Sequence, residues 1–304
     1  MKYFSLPDAV ILEVKGPHAA KYLQARLTND LRSLTQDQGM LAAALTPQGK
    51  TEGLFTILKQ AEDAYLLYAD GGDRNAVIQG LKRFLVAERV EVSDMSPRMT
   101  VLHYCDSSAP LNSPLAAFPA SNENDLPLLV RRVGEFILIR KVRGELPGWD
   151  ILASSNSMAK VTAEFSAHGG LELALPEQTL LRLRAGVPKF PEEINADLLF
   201  VSAGLGSAIS YTKGCYTGQE VVAKIDALGK SPRILKLLEA DLSSPAAGQK
   251  VISSSDGKAI GKVLSCIFDS RSGKSLCFAD LRNIDGLAEM ALSIGGASAR
   301  LGSV

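Results

Sequence analysis

The 304-residue chain reads as an α+β protein that ends in a small β-barrel or sandwich, and three features predict this class. Strand pairs followed by an amphipathic helix occur twice, over residues 40–85 and 128–168, the order expected of sheets covered by helices. Beyond residue 229 the texture changes to short apolar runs at 234–238, 251–252, 260–268, 276–281 and 290–294. Asp256-Gly257, Ser272-Gly273 and Gly295-Gly296 break these runs, a spacing of turns typical of compact all-β units. Composition agrees: 46% hydrophobic and 22% charged residues at this length suffice for two or three cores.

Residues 9–14 (Ala-Val-Ile-Leu-Glu-Val) are apolar and β-branched and predict a strand closed by Gly16-Pro17. A helix over 18–27 follows, with Ala19, Tyr22, Leu23, Arg26 and Leu27 at helical spacing, Pro17 suited to its first turn and His18 solvated at its start. Residues 40–45 and 54–59 flank the polar turn Thr46-Pro47-Gln48-Gly49-Lys50, and 64–68 add a third strand. Gly71-Gly72-Asp73 introduces a helix in which Val77, Ile78, Leu81, Phe84 and Leu85 share a face, before a strand at 90–92. The glycine pair lacks the Lys-Ser/Thr of a P-loop and reads as a turn. Residues 107–127, rich in Ser, Pro, Asn and Asp, read as a loop. Strands at 128–132 and 135–141 and a helix over 157–168 repeat the earlier order. Pro176-Glu177-Gln178 starts a short helix through Arg184, on which Arg182 and Arg184, two positions apart, cannot share a face.

Lys plus Arg and Asp plus Glu each total 33, so no global field draws the chain to nucleic acid or an anionic membrane. The N-terminal residues lack a secretory signal pattern and no run is long enough to span a bilayer, which leads us to expect a cytoplasmic protein. The four cysteines form no Cys-x-x-Cys pair and the three histidines lie apart, so no metal site is expected. Cys105, Cys266 and Cys277 lie in apolar surroundings and read as packed thiols.

The densest chemistry is at Lys213-Gly214-Cys215-Tyr216-Thr217-Gly218-Gln219-Glu220. Gly214 and Gly218 can adopt backbone angles closed to other residues, which puts Cys215 on a tight turn. An ammonium two residues away and a helix starting near Gly218 would both favour thiolate, making Cys215 a candidate functional thiol with Lys213 as its modulator. Gln219 and Glu220 are candidates to orient the loop by hydrogen bonding. The plainer alternative is a small packed residue on a structural turn.

This run resembles the motif of the YgfZ family, folate-binding relatives of the glycine-cleavage T-protein. Leu181-Arg182-Leu183-Arg184-Ala185-Gly186-Val187-Pro188 is similar to the Leu-Arg-x-x-Ala-Gly-x-Pro segment of the wider superfamily, and Gly16-Pro17-His18-Ala19-Ala20-Lys21-Tyr22-Leu23-Gln24 to its first strand–helix join. The resemblance implies a three-domain cloverleaf around a central tetrahydrofolate cavity with a C-terminal β-barrel. It suggests a first domain from 1–45 with 172–228, a second from 46–171 and the barrel from 229–304. Gly148-Trp149-Asp150-Ile151 matches the segment whose carboxylate holds the pterin, and Arg182 an arginine that assists folate binding, so Asp150, Arg182 and Trp149 are the implied folate contacts.

Aminomethyltransferases carry an essential aspartate just after the turn at Gly49-Lys50, whereas here Thr51-Glu52-Gly53-Leu54-Phe55 puts apolar residues at that place. Glu52 is near, but strand alternation argues against its substituting. The function implied is a tetrahydrofolate-binding factor that supports iron–sulfur cluster assembly or repair in client enzymes, with an indirect effect on tRNA modification. Its partners would be folate and cluster proteins or carriers, and Cys215 would stand beside the folate cavity. Two alternatives stay open: a tetrahydrofolate-dependent aminomethyltransferase using Glu52, and a folate-binding module with an inert Cys215.

Overall fold

The computed structural model describes residues 1–105, 118, 127–145 and 147–302. Most of the expected loop at 107–127 lies outside the described residues. Three β structures organise the chain, each with alternation or continuous apolar character that decides what it buries. A five-stranded antiparallel sheet runs in the order Met40–Leu45, Thr51–Ala61, Ala64–Ala69, Val10–Lys15, Glu91–Asp94. A six-stranded sheet runs Leu171–Glu172, Lys2–Ser5, Met99–Cys105, Pro147–Ser154, Phe136–Val142, Val130–Val133. Arg233–Ala240, Lys274–Arg282, Ala259–Asp269, Lys250–Ser253, Leu292–Ile294 and Ala297–Leu301 close into a barrel, which leaves no strand edge unpaired.

The helices sit where short sequence signals start and stop them. Helix α1 (Ala19–Arg26) buries Ala19, Tyr22, Leu23 and Arg26, while His18 Nδ1 accepts from the Arg89 backbone N–H. The Asp73 side chain caps α2 (Arg74–Lys82) by accepting from Ala76 N at 2.7 Å. That helix ends before Phe84, which is exposed rather than inward-facing and stacks over the Arg26 guanidinium, 5.6 Å from its ring centre. Ser154 caps α3 (Ser155–Ala167), and Glu177 reaches back to the Ala174 N–H at the start of α4 (Leu175–Arg184). Helix α5 (Gln219–Leu228) is bounded by Gly218 and Gly229, both at positive φ.

Two sheet faces meet through Ile11, Leu58 and Tyr68 on one side and Phe4, Val101, Ile139 and Leu152 on the other. A separate core lies between the six-stranded sheet and α3, around Trp149, Tyr104 and Phe165. The largest core joins the five-stranded sheet to Leu183, Phe190, Phe200, Tyr216 and Val222, and to outward-facing barrel residues such as Leu237 and Phe278. The segment after α4 thereby ties the sheet to the barrel.

The sheets divide the chain differently from the boundaries expected at residue 45. Met40–Leu45 and Thr51–Ala61 form one hairpin, with Thr46 N donating to Lys50 O at 2.8 Å, so residue 45 lies at the mouth of a tight turn and not at a linker. The strand Lys2–Ser5 pairs with Met99–Cys105 and belongs to the six-stranded sheet. Neither point is visible in local composition, because both are fixed by pairing across the sequence.

Candidate functional site

A cavity of about 340 Å³ opens where the two sheets meet the segment after α4. Leu41 and Leu54 from the five-stranded sheet, Val142 from the six-stranded sheet, and Phe190 and Leu205 from the later segment make it largely apolar. Asp70, Lys141 and Arg143 provide a polar end. An enclosed apolar space of this size with a few converging polar groups is the usual form of a small-molecule site.

The polar end is a built network. Arg143 donates from Nη1 and Nη2 to the two Asp70 oxygens, each at 2.7 Å. It also donates from Nε and Nη2 to Asp150, again at 2.7 Å each. Lys141 Nζ donates to Asp70 at 3.1 Å and to Thr56 Oγ1 at 3.0 Å, and lies over the Tyr68 ring. Burial alone would raise the Asp70 carboxyl, but Arg143 and then Lys141 overcome it and hold the group below the usual carboxylate range. Burial lowers the His103 imidazole, so the ring is neutral at pH 7 and its Nδ1–H donates to Asp150 at 2.8 Å.

Asp150 is where the sequence expectation has to be corrected. Its side chain is fully buried and accepts from Arg143 Nε and His103 on one oxygen and from Tyr68 Oη and Arg143 Nη2 on the other. A carboxylate offers about four lone-pair directions, so Asp150 has none left for a pterin. It holds Arg143 in place. Asp70 accepts three bonds, keeps one direction free and lines the cavity, with its side chain 20% exposed. Trp149 has no exposed surface and belongs to the core against α3, not to the cavity wall. The strand alternation that turns Asp150 toward Tyr68 turns Trp149 to the opposite face.

Arg182 does line the cavity, but its fork is committed: Nη1 donates to Glu193 and Val187 O, Nη2 to Glu192 and Glu193, all at 2.8–3.0 Å. It braces the Val187–Phe190 wall and has no Nη hydrogen left for a ligand carboxylate. Arg184 faces the other way and pairs with Asp269 on the barrel.

Leu54, from the segment that follows the turn at Gly49-Lys50, lines the cavity. Glu52 falls at a register break of its strand, where Ala44 pairs with Gly53 and Leu45 with Thr51, so simple alternation does not decide which way it faces. What removes Glu52 is pairing: its carboxylate is held by Arg26 and Arg83 beneath α2, with the side chain 9% exposed.

The Lys213–Glu220 turn is built around helix α1. Lys213 is buried, and its Nζ donates to the carbonyls of Gln24, Leu27 and Asn29 at 2.6, 2.7 and 2.6 Å. Thr217 N donates to Ala25 O at 3.2 Å. The Gln24 and Ala25 carbonyls are among those a helix leaves without partners at its C-terminus, and Leu27 and Asn29 follow just beyond it, so the turn is a cap brought in from far along the chain. Burial pulls the Lys213 ammonium down to about 8. All three donors are taken by carbonyls at or just beyond the end of α1, so Lys213 anchors the turn and is not the modulator of the neighbouring thiol that the sequence suggested.

Tyr216 is buried beneath the Lys213 ammonium, and its N–H donates to Gln219 Oε1. Gly218 needs its lack of a side chain: at φ +85° a Cβ would stand 2.7 Å from Thr46 O. Gly214 does not adopt a positive φ, and a Cβ there would meet open space. Glu220 is exposed in the first turn of α5 and does not reach into the turn.

Cys215 is exposed and lines a shallow recess of about 260 Å³ with Lys21, Gln24, Ala25, Arg32 and Gly214. No residue is common to this recess and the central cavity. The expectation of a thiol beside the folate cavity is therefore corrected: Cys215 opens onto a recess of its own, with α1 forming part of it.

Asp70, Lys141 and Arg143 went unnoticed in the sequence. The spacing Lys141-x-Arg143 at the end of a strand is the one local signal, since it points two cations to one side. Among the described residues no helix is long and apolar enough to cross a membrane.

The comparisons with known proteins agree with this architecture. The family model described as GCVT N-terminal domain matches residues 9–105. The tRNA-modifying protein YgfZ of Colwellia psychrerythraea is 26% identical over 262 residues, covering 81% of this chain and 76% of that protein. The aminomethyltransferase of Shouchella clausii is 26% identical over 295 residues, covering 90% and 77%, and that of Bacillus subtilis 22% over 285 residues, covering 88% and 76%. The crystal structure of glycine cleavage system aminomethyltransferase T from Bartonella henselae superposes with a TM-score of 0.85 at 17% identity, over all of this chain and 85% of that one. The chain thus carries a GCVT N-terminal domain over residues 9–105, has the fold of a glycine-cleavage aminomethyltransferase, and is similar over most of its length to a YgfZ protein and to aminomethyltransferases.

Proposed function

We propose that this chain binds a reduced folate, tetrahydrofolate or a derivative, in the central cavity. In this reading it acts as a factor that supports iron–sulfur cluster assembly or repair in client enzymes, with tRNA modification affected through them. The observation that carries the reading is the pairing of a carboxylate with spare acceptor capacity, Asp70, with an apolar wall at Leu54. The donor set fits the ligand: a pterin edge offers N–H groups to Asp70, and its flat ring suits the walls formed by Leu41, Leu54 and Phe190. Bound folate would supply a one-carbon carrier. Arg143 would fix the orientation of Asp70, Asp150 and His103 would fix Arg143, and the apolar walls would exclude water.

Aminomethyl transfer is the weaker reading because Leu54 has no proton to exchange and Glu52 is neutralised outside the cavity. Cys215, exposed on a recess flanked by Lys21 and Arg32, is the group we assign to the meeting with cluster proteins or carriers. One thiol cannot hold a stable cluster, so that contact would be shared with the partner.

The test is complementation of cells lacking the endogenous factor, read as cluster-dependent tRNA modification, alongside aminomethyl transfer by the purified chain. The proposal expects loss of modification in both Asp70→Asn and Cys215→Ala and no transfer by wild type. Full complementation by Cys215→Ala would leave a folate-binding module, and robust transfer would restore the enzyme reading.

A further inference from the structure

The barrel carries a pair of thiols that plays no part in either opening described above. Cys266 on Ala259–Asp269 and Cys277 on Lys274–Arg282 are direct partners in the antiparallel register. Such partners stand about 4.5–5.5 Å apart at Cα, inside the span a disulfide bridges. Both side chains belong to the barrel core, where Cys277 is fully buried and Cys266 partly exposed. The environment also sets an order between them. A hydrogen bond from Cys277 lowers the Cys266 thiol, and the same bond, with burial, raises Cys277.

We propose that Cys266 and Cys277 form a reversible thiol–disulfide site, oxidised by hydrogen peroxide through Cys266 and returned to two thiols by a dithiol reductant. The Cys266 thiolate attacks one peroxide oxygen, so an S–O bond forms, the O–O bond breaks and hydroxide leaves. The Cys277 sulfur then attacks the sulfenic sulfur, the S–S bond forms, and the sulfenic oxygen leaves as water with the Cys277 proton. Overall two thiols lose two electrons and the peroxide becomes two waters. Cys266 supplies access and Cys277 the resolving group, held opposite by the strand pairing. The position matters because the preceding residue, Ser265, donates its hydroxyl to Glu193, which in turn holds Arg182 at the cavity wall.

The test uses the full reduced chain, treated with hydrogen peroxide, alkylated in denaturant and digested with trypsin. Cleavage after Lys262, Arg271, Lys274 and Arg282 separates the two cysteines into different peptides. The proposal expects those peptides, 263–271 and 275–282, to be joined, with loss of alkylation at both and full recovery on adding dithiothreitol. Cys277→Ser should abolish the joined species and leave Cys266 as a sulfenic acid that a dimedone probe captures. The proposal is overturned if wild type keeps both thiols alkylatable at peroxide levels that oxidise the exposed Cys215, or if Cys266 joins another cysteine instead.

Discussion

Replacing Lys213 with Met separates two roles for the Lys213–Glu220 turn that the sequence alone does not distinguish. In the structure the ammonium donates three hydrogen bonds of 2.6–2.7 Å to carbonyls at the end of α1. Methionine fills similar volume but leaves those acceptors without their donor. Hydrogen bonds to a charged group contribute about 1.5–3 kcal/mol each, and an orphaned buried acceptor costs about 1–3 kcal/mol. The bonds to Gln24 and Asn29 are only partly buried, so water replaces some of that loss, and the expected destabilisation is about 3–5 kcal/mol. Cys215→Ala, at an exposed site on the same turn, should stay within about 0.5 kcal/mol of wild type. Urea unfolding of both variants, followed by circular dichroism, measures the difference. The pH dependence adds a signature. Because the folded ammonium titrates near 8 and the unfolded one near 10.5, the unfolded chain binds more protons in that window. Wild-type stability should therefore gain a rising component from pH 8 to 10.5 that Lys213→Met lacks. An unchanged unfolding midpoint for Lys213→Met, together with more than tenfold slower alkylation of Cys215, would refute the capping role and reinstate the electrostatic one.

Asp150→Asn should cost about 3 kcal/mol or more, because Arg143 loses half of its buried carboxylate pairing, and thermal denaturation at pH 7 measures this. Asp70 and Asp150 are both held below the usual 3.8, so their contribution is complete above that value and lost as pH falls below it. Acid unfolding of Asp150→Asn should accordingly be shallower than that of wild type below about pH 4. Gly218→Ala, which sets a Cβ against Thr46 O at positive φ, should cost about 1–3 kcal/mol, while Gly214→Ala should be close to neutral; chemical denaturation compares them. Glu52→Gln should lower stability by weakening its hold on Arg26 and Arg83, yet leave folate affinity within about twofold, as calorimetry would show.

Much of the fold was legible because it is written locally. The turn at Thr46–Lys50, the apolar runs of the barrel and the caps at Asp73, Glu177 and Gly218 act within a few residues of themselves. The site was legible only in part. Lys213 and Cys215 are neighbours in sequence, which suggests an electrostatic pair, but a lysine side chain is long, and its partners lie 184–189 residues upstream. The Gly-Trp-Asp-Ile segment drew attention to Asp150, whereas the carboxylate that reaches the cavity is Asp70, joined to it through Arg143. Nothing near Asp70 in the chain signals this, since its partners Lys141 and Arg143 are about seventy residues away and belong to the other sheet. Glu52 looked available because its own charge partners, Arg26 and Arg83, come from two different helical segments.

Calorimetric titration of tetrahydrofolate into wild type, Asp70→Asn and Cys215→Ala tests most directly whether the central cavity is the ligand site. One lost charge-assisted hydrogen bond of about 1.5–3 kcal/mol should weaken binding to Asp70→Asn roughly 10- to 150-fold, while Cys215→Ala binds as wild type does. Equal affinity in wild type and Asp70→Asn, with loss in Cys215→Ala, would move the ligand to the outer recess and contradict the assignment.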